Sequence, residues 1–349
     1  MPITSYLREL SEAAGVSGDE RAVRKMIEDS IRDHVDATRV DTLGNLLALK
    51  RARRGKRRPM RVMIDAHMDE VGFMIVGHSG DGGLKFRAVG AIDPRILPGK
   101  VVSVGPDRIP GVIGVQPVHL AKDTSAVQKI DSLVIDIGAS SKEQAEGAAQ
   151  VGSYAAFATP YRSLGGGKAS GKAFDDRAGC AALIDILQGP RLPVDVLAAF
   201  TVQEEVGLRG ARAAAYALNP DAAFAVDATP ANDLPQPEGE DRSPNARLDA
   251  GPAIYVMTRG DVSDPRLVRH VLGVGEKRGI PHQIRQPGAG GTDAGAISRS
   301  RAGVPAVSIS TPCRYIHSPV CVLSLDDLQN CAELVRESVA RLTPQALRR

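Results

Sequence analysis

The chain contains no tryptophan, and aromatic residues make up only 3% of its 349 residues. Stacking platforms for nucleic-acid bases or sugar rings are therefore not expected, because aromatic side chains build them. The formal net charge is only +3, so nothing in the overall charge requires an acidic or nucleic-acid partner. The core must be built from Val, Ile, Leu and Ala, as in an ordinary globular protein.

Cysteine pairs and long apolar runs are also missing. The four cysteines, Cys180, Cys313, Cys321 and Cys331, include no C-x-x-C pair, so we interpret them as reduced thiols of a cytoplasmic protein. No signal-like segment opens the sequence, and no apolar run approaches the roughly 20 residues that a membrane helix needs. We therefore expect a soluble cytoplasmic protein with no membrane partner.

The most basic segment is 51–59, Arg-Ala-Arg-Arg-Gly-Lys-Arg-Arg-Pro. A run of this kind can indicate nucleic-acid binding. It contains Gly and Pro, however, and lies between the predicted strand 45–50 and a second apolar strand that begins at 62. We interpret it as a solvated turn, and we predict a surface loop at 230–245, which is rich in Pro, Glu, Asp and Asn.

Helical and strand patterns alternate outside the middle of the chain. Residues 1–35 predict two helices, the second opened by a capping box at Ser17–Glu20. Further helices are predicted at 176–187, 209–217, 265–278 and 325–342, and continuous apolar strands at 194–202, 222–227 and 304–309. Such strands are typical of a buried, largely parallel sheet. We predict an α/β fold whose mostly parallel central sheet is flanked by helices.

The segment 76–165 has a different pattern. Gly and Pro separate short β-like runs at 84–89, 100–104, 111–116, 132–137 and 153–160, with one predicted helix at 141–150. Short strands at this spacing favour a small β-sandwich or barrel. We predict that residues 1–75 and 166–349 form one catalytic domain, and that residues 76–165 are an inserted β domain.

Imidazole and carboxylate side chains lie at or just after the carboxyl ends of the predicted strands: His67, Glu204, Glu205, Asp227 and His317. Ligands of an open α/β sheet bind beyond these ends, so we expect the set to converge. Asp175 and Asp176 stand at the start of a helix nearby in the predicted order, where helix capping explains one of them.

This combination of side chains suits a pair of divalent metal ions such as zinc, cobalt or manganese. Paired metal ions about 3.5–4 Å apart clamp a carbonyl group and lower the pKa of a bridging water. A carboxylate two residues after a histidine is well placed to orient the imidazole, which predicts that Asp69 orients His67. The set therefore predicts hydrolysis at a dinuclear metal site.

Six ordered motifs resemble those of the tetrahedral (TET) aminopeptidases: VMIDAHMDEVG, GKAFDDRAGC, TVQEEVGLRGA, AVDA, GGTDA and RYIHSP. These enzymes are the glutamyl- and deblocking-aminopeptidases of metallopeptidase family forty-two, and the resemblance covers nearly the whole chain. It implies an aminopeptidase that removes N-terminal residues from peptides. It also implies dimers built through the inserted domain and joined into a hollow dodecamer.

The resemblance assigns roles to residues. It implies that one metal ion is held by His67, Asp175 and Asp227, and the other by Asp175, Glu205 and His317. Glu204 would be the general base, with Asp69 orienting His67. Thr292 and Asp293 either line the substrate site or form a tight turn. Cys321 stands where relatives often carry an acid, a departure that leaves every metal ligand in place.

Other functions are compatible with the same residues. An amidohydrolase or deacylase could act on acylated amino acids at a similar metal site, and a non-catalytic oligomeric scaffold represents a different class. A glycosidase is disfavoured, because its two carboxyl groups must flank the bond about 5–9.5 Å apart, whereas these carboxylates gather around metals. The inserted domain could also be a lid on a monomeric enzyme. The sequence predicts no preference for a particular N-terminal residue.

Overall fold

The computed structural model describes residues 1–53, 58–115, 118–120, 127–234, 245–286 and 290–348. Its helices are α1 Ile3–Glu12, α2 Arg21–Ile31, α3 Lys142–Ala148, α4 Phe174–Gln188, α5 Arg209–Leu218, α6 Pro265–Arg278, α7 Asp293–Ser298 and α8 Leu325–Arg341. None of these helices is long and apolar enough to cross a membrane.

The strands form two assemblies, a large sheet and a closed barrel. In chain order they are β1 Ala37–Val40, β2 Leu46–Lys50, β3 Arg61–His67, β4 Gly72–His78, β5 Leu84–Val89, β6 Val101–Val104, β7 Ile109–Ile113, β8 Val134–Asp136, β9 Tyr154–Phe157, β10 Arg162–Leu164, β11 Lys168–Gly171, β12 Asp195–Thr201, β13 Ala222–Pro230, β14 Ala253–Ile254, β15 Gln283–Ile284, β16 Ala306–Arg314 and β17 Cys321–Ser324.

The large sheet has the order β1-β2-β12-β3-β13-β16-β17-β11-β10, and β14 with β15 joins it at β16. Its four central strands, β12, β3, β13 and β16, are mutually parallel. Thr201 at the end of β12 lies opposite His67 at the end of β3. The carboxyl ends of the central strands therefore meet at one edge, and the predicted α/β class with a mostly parallel sheet is confirmed.

Helices cover both faces of this sheet. On one face, residues of α1, α2, α4, α6 and α8 pack with the strands into the main core. Helix α4 is buried almost throughout, and each large apolar side chain that it removes from water contributes about 1.5–3 kcal/mol. On the other face α5 packs through Ala211, Ala214 and Ala215. Their helical spacing and small size bring α5 close to the strands.

The barrel is closed by six antiparallel strands in the order β4-β5-β8-β7-β6-β9. Its core contains Phe73, whose ring meets Phe86 and Phe157 edge-on at centroid distances of 5.0 and 5.2 Å. The barrel strands lie between Gly72 and Phe157, while β10 at 162–164 pairs within the large sheet. Division of the chain into domains at 76 and 165 stays a prediction.

Some local predictions differ from the structure. The predicted capping box at the start of α2 is wrong, because the side chain of Glu20 at the N-cap makes no capping hydrogen bond. Ser17 instead donates its hydroxyl to Asp69 Oδ2 at 2.6 Å. Residues 54–57 of the basic segment and 235–244 of the predicted surface loop lie outside the described residues.

Candidate metal centre

His67 stands at the end of β3 with its two ring nitrogens in different surroundings. Nδ1 lies 3.1 Å from the backbone oxygen of Asp69. Because a carbonyl oxygen only accepts hydrogen bonds, Nδ1 carries the proton in the neutral ring. Nε2 then directs a lone pair at carboxylate oxygens, 3.1 Å from Asp175 Oδ1 and 3.7 Å from Asp227 Oδ1. A positive charge is needed between these atoms.

His317, in the turn after β16, repeats this arrangement. Its Nδ1 lies 3.0 Å from the backbone oxygen of Ala91, in the connection that follows β5 of the barrel. Its Nε2 lies 3.4 Å from Asp175 Oδ2 and 3.2 Å from Glu205 Oε2. The two oxygens of Asp175 therefore face two different imidazoles, as a bridging carboxylate between two cations would.

The carboxylates are buried close to one another. Burial raises the pKa of Glu205 to about 8, and the charge of Asp175 adds to this effect. Burial likewise raises the pKa of Asp227 to about 6 and that of Glu204 well above its usual range. Like charges at this density oppose ionisation unless cations are present.

Asp175 is the exception among these carboxylates. Burial disfavours its charge, but hydrogen bonds to His317 and His67 outweigh burial and hold its pKa below the usual range. Burial lowers the pKa of His317, yet the contact with Asp175 and the charge of Glu205 outweigh it and raise the pKa to about 9. The positive charge of the imidazoles and the negative charge of Asp175 therefore stabilise each other.

The donor set fits divalent metal ions. Ligand atoms of His67, Asp175 and Glu205 lie within 4.8 Å of one another, as do those of His67, Asp176 and Asp227. Imidazole nitrogen with carboxylate oxygen is a combination that zinc accepts readily. With Nδ1 of each histidine committed to a carbonyl, each Nε2 is left in the state that binds metal.

Asp176 has a different role from its neighbour. Its Oδ2 accepts a hydrogen bond from the backbone amide of His67 at 3.2 Å, and its Oδ1 accepts one from Gly179 at 2.8 Å. Both oxygens thus satisfy backbone amides, one of them in the first turn of α4. Helix capping explains Asp176, whereas Asp175 makes no such contact and faces the imidazoles.

Asp69 joins the end of β3 to the turn that follows β12. Its Oδ1 accepts the backbone amide of Glu204 at 3.0 Å, and its Oδ2 accepts that of Glu205 at 3.2 Å and the hydroxyl of Ser17 at 2.6 Å. Oδ1 also lies 3.5 Å from His67 Nδ1. Asp69 therefore holds the backbone of the Glu204–Glu205 pair in place, and that its carboxylate orients His67 stays a prediction.

A buried ion cluster that was not predicted from the sequence lies next to these residues. Lys172 donates to both oxygens of Glu70 at 2.7 and 2.9 Å. Arg177, which is fully buried, lies 3.4 Å from Glu70 and donates to the backbone oxygen of Met68 at 2.9 Å. The signal was present in GKAFDDRAGC, where both cations flank Asp175. The cluster ties this segment to the end of β3.

The candidate site opens into a cavity of about 190 Å³ that is lined by the metal-site residues and by Ala91, Tyr255, Arg285, Gly290 and Gly291. Arg285 is buried, donates to Thr229 Oγ1 at 2.9 Å and lies over the Tyr255 ring at 4.6 Å. Tyr255 and Arg285 were not predicted, since neither belongs to a sequence motif used above.

Thr292 and Asp293 lie beneath this cavity rather than in its wall. The Thr292 hydroxyl is 2.6 Å from the hydroxyl of Ser308, and Asp293 Oδ2 accepts a hydrogen bond from Thr201 at 2.8 Å. Asp65 is also buried beside Asp293, and burial raises its pKa well above the usual range. A substrate-binding role for Thr292 and Asp293 stays a prediction that their side-chain contacts do not support.

All four cysteines are free and buried, in agreement with their interpretation as reduced thiols. Cys321, at the start of β17, lies with its Sγ 3.5 Å from the backbone oxygen of Tyr315.

Comparison with known proteins gives consistent results. A family model described as M42 glutamyl aminopeptidase matches residues 44–334. A putative aminopeptidase of Acetivibrio thermocellus is 36% identical over 335 residues, which are 95% of this chain and 97% of the relative. The match extends over the barrel as well as the large sheet.

Two solved structures are similar over almost the whole chain. An aminopeptidase of the archaeon Desulfurococcus kamchatkensis has a TM-score of 0.92 and 36% identity, covering 99% of this chain and 97% of that one. The TET1 peptidase of Pyrococcus horikoshii, which can assemble into a tetrahedron or a large octahedral shell, has a TM-score of 0.86 and 35% identity. That match covers 98% of this chain and 100% of the other.

Proposed function

The chain belongs to the M42 peptidase family and is an aminopeptidase, and from that premise we propose a metal-dependent mechanism with two divalent ions. We propose that one ion is held by His67, Asp175 and Asp227, and the other by Asp175, Glu205 and His317. The substrates are peptides, from which the enzyme removes N-terminal residues. Zinc, cobalt and manganese all suit this donor set.

The strongest support for this proposal is the position of Asp175 between two imidazoles. Each oxygen of Asp175 faces the Nε2 atom of a different histidine, His67 or His317. The Nδ1 atom of each of these rings is hydrogen-bonded to a backbone carbonyl oxygen. An arrangement of this kind leaves two lone pairs directed at one carboxylate. Two cations bridged by Asp175 satisfy it, whereas with a single ion the other imidazole would have to carry a proton in order to face the carboxylate.

The bound ions would polarise the scissile carbonyl and lower the pKa of the attacking water. Glu204 would accept a proton from that water, because it lines the cavity beside the donor set without belonging to it. Burial raises its pKa well above the usual range, which suits a carboxyl group that must take up a proton and then release it to the leaving amine. Asp69 would hold the Glu204 backbone in position.

We further propose that the protein self-associates through the barrel. Val101 on β6 and Val112 on β7 are cross-strand neighbours, and 53% and 43% of their surfaces are exposed. Val76 and Val115 of the same region are also exposed. An apolar surface of this kind on a barrel whose own core is filled favours subunit contact. By analogy with the TET1 peptidase, which one solved structure contains as a dodecamer, the final assembly would be a hollow dodecamer in the cytoplasm.

The proposal can be tested with a panel of aminoacyl-anilides and N-acetyl amino acids. The metal-depleted protein should be inactive and should recover when zinc, cobalt or manganese is supplied. Hydrolysis of anilides with two tightly bound ions per chain is the expected result. Hydrolysis of only the acetylated compounds would favour the deacylase alternative. Full activity with at most one bound ion per chain would contradict the dinuclear centre.

A further inference from the structure

A second and larger cavity, of about 790 Å³, lies between α5 and the end of α7. We call it the arginine cleft after four residues that line it: Arg209, Arg212, Arg299 and Arg301. Among the described residues in its wall none is acidic. The cleft shares no lining residue with the cavity at the candidate metal centre. The arginine cleft is therefore separate from the candidate metal centre, and the proposed catalytic mechanism gives its arginines no role.

The charges of these arginines are not neutralised within the described chain. None of the four forms an ion pair with a described residue, and the side chain of Arg212 makes no hydrogen bond to one either. Arg299 donates to the backbone oxygen of Gly295 at 2.7 Å, and Arg301 donates to that of Tyr216 at 2.8 Å. A guanidinium carries five N–H donors, so most donors of the cluster remain available to a ligand.

Ser300 provides a second and independent indication of a ligand. It lies in the cleft wall between two of the arginines in sequence, and only 6% of its surface is exposed. Its hydroxyl has no hydrogen-bond partner among the described residues. Buried polar groups are nearly always hydrogen-bonded, so the wall of the cationic cleft contains a hydroxyl whose hydrogen bonds the described residues do not supply.

We propose that the arginine cleft binds a small polyanion that carries at least two phosphate or carboxylate groups. The planar guanidinium matches the two oxygens of either group and forms paired, charge-assisted hydrogen bonds with them. A cavity of this volume exceeds what a single phosphate fills, and four cations in its wall match more than one negative group. Ser300 would donate its hydroxyl to one of the ligand oxygens.

The cleft also contacts the turn that carries the candidate catalytic glutamates. Gly207 and Leu208, both in its wall, donate backbone hydrogen bonds to the oxygen of Glu204 at 2.9 Å. Arg209 Nη1 lies 3.2 Å from the side-chain oxygen of Gln203. A ligand in the arginine cleft would therefore contact residues that are hydrogen-bonded to the backbone of Glu204.

The test is titration calorimetry of the full-length, metal-loaded protein at low ionic strength with two probes, inorganic pyrophosphate and propane-1,2,3-tricarboxylate. Each sample is analysed for metal released from the protein. We expect at least one probe to bind with the metal retained, and the affinity to fall as salt is added. Binding of one probe alone identifies its acid group as the preferred one.

The double variant Arg212→Gln, Arg299→Gln should bind that probe at least tenfold more weakly, because each lost charge-assisted contact is worth about a factor of ten or more. Ser300→Ala should bind it several-fold more weakly. The matched control removes two charges elsewhere, in Arg162→Gln, Arg269→Gln, both exposed, and should bind as the wild type does. Thermal unfolding of every variant checks the fold.

Three results would overturn the proposal: neither probe binds, the heat follows loss of metal from the protein, or the cleft variant and the control bind equally well. If the double variant does not fold, the single variant Arg212→Gln decides the matter, since its side chain makes no described contact that folding needs. Unchanged affinity in that variant would equally overturn the assignment.

Discussion

Asp69 accepts a hydrogen bond from the backbone amide of Glu204 at 3.0 Å. This bond joins the end of β3, where the first imidazole stands, to the turn after β12, where the candidate base stands. Two segments 135 residues apart in the chain are therefore fixed relative to each other by one carboxylate. The position of the candidate base therefore depends on a residue whose carboxylate also lies 3.5 Å from His67 Nδ1.

Replacing Asp69 by Asn should weaken metal binding about 10–100-fold, the usual effect of losing a residue that orients a metal ligand. The new amide would direct N–H groups at the backbone N–H groups of Glu204 or Glu205, which need an acceptor. Metal affinity is measured by competition with a chelator. Ser17→Ala, which removes only a hydroxyl donor to Asp69, is the control and should have the smaller effect. Equal effects would contradict the positioning role.

Lys172→Met should lower the free energy of unfolding by about 3–5 kcal/mol, because removing one partner leaves the other charge buried and under-compensated. The partner is Glu70, and both side chains are 3% exposed. Lys168→Met is the matched control, since Lys168 pairs with the exposed Asp249 and such pairs contribute about 0–1 kcal/mol. Urea unfolding measures both. Equal losses would show that the buried pair is no more important than a surface pair.

The pKa of Lys172 also predicts how the free energy of unfolding depends on pH. Burial lowers the pKa of Lys172 to about 8 from a usual value of 10.5, although Glu70 opposes this shift. Between these two pH values the unfolded chain holds a proton that the folded protein has released. Titration of Lys172 therefore makes the free energy of unfolding rise between about pH 8 and pH 10.5. The stability that this titration adds at high pH is lost as the pH falls below about 8.

The free energy of unfolding is measured for wild type and for Lys172→Met at pH 7.5 and at pH 9.5, and the value of the variant is subtracted from that of the wild type at each pH. Other titrating groups are common to both proteins and largely cancel. The difference should grow towards pH 9.5. A difference that shrinks over this interval would mean that folding raises the pKa of Lys172 instead.

The elements that the sequence predicts best are those with strong local signals. Helix α6 has the predicted bounds, 265–278, because Asp264 caps it, Pro265 occupies its first position and Gly279 ends it at a φ of +66°. Strand β5 likewise has the predicted bounds, 84–89. In contrast, β10, β11 and β17 were not predicted, because they are three or four residues long and exist through pairing with distant strands.

In the candidate site, too, some residues were predicted from local sequence signals and others were not. Strand ends predicted the convergence of His67, Asp227 and the Glu204–Glu205 pair, because parallel strands place their carboxyl ends together. The buried cations Lys172 and Arg177 were not predicted, since charged residues are almost never fully buried and no local pattern marks the exceptions. Ser17 was assigned to a helix cap because nothing in its sequence neighbourhood indicates the distant Asp69.

The barrel surface gives a prediction about assembly. Val101→Asp combined with Val112→Asp would place two adjacent like charges on the exposed face of β6 and β7. We expect the variant to lose self-association while the barrel core remains intact, and light scattering with metal supplied measures the mass. Val151→Asp, at another exposed position, is the control. A monomeric wild type would contradict self-association, and an unchanged mass in the double variant would place the contact elsewhere.

In the proposed mechanism the two neighbouring glutamates have different roles, Glu204 as the base and Glu205 as a metal ligand. Glu204→Gln should retain both metal ions and lose about 10²–10⁴-fold in kcat, whereas Glu205→Gln should lower metal occupancy. Metal content and kcat are measured on the same samples of each variant. Full occupancy with greatly reduced turnover in Glu204→Gln alone is the predicted result. Metal loss in Glu204→Gln, with full occupancy in Glu205→Gln, would show that the roles of the two glutamates are the reverse of those proposed.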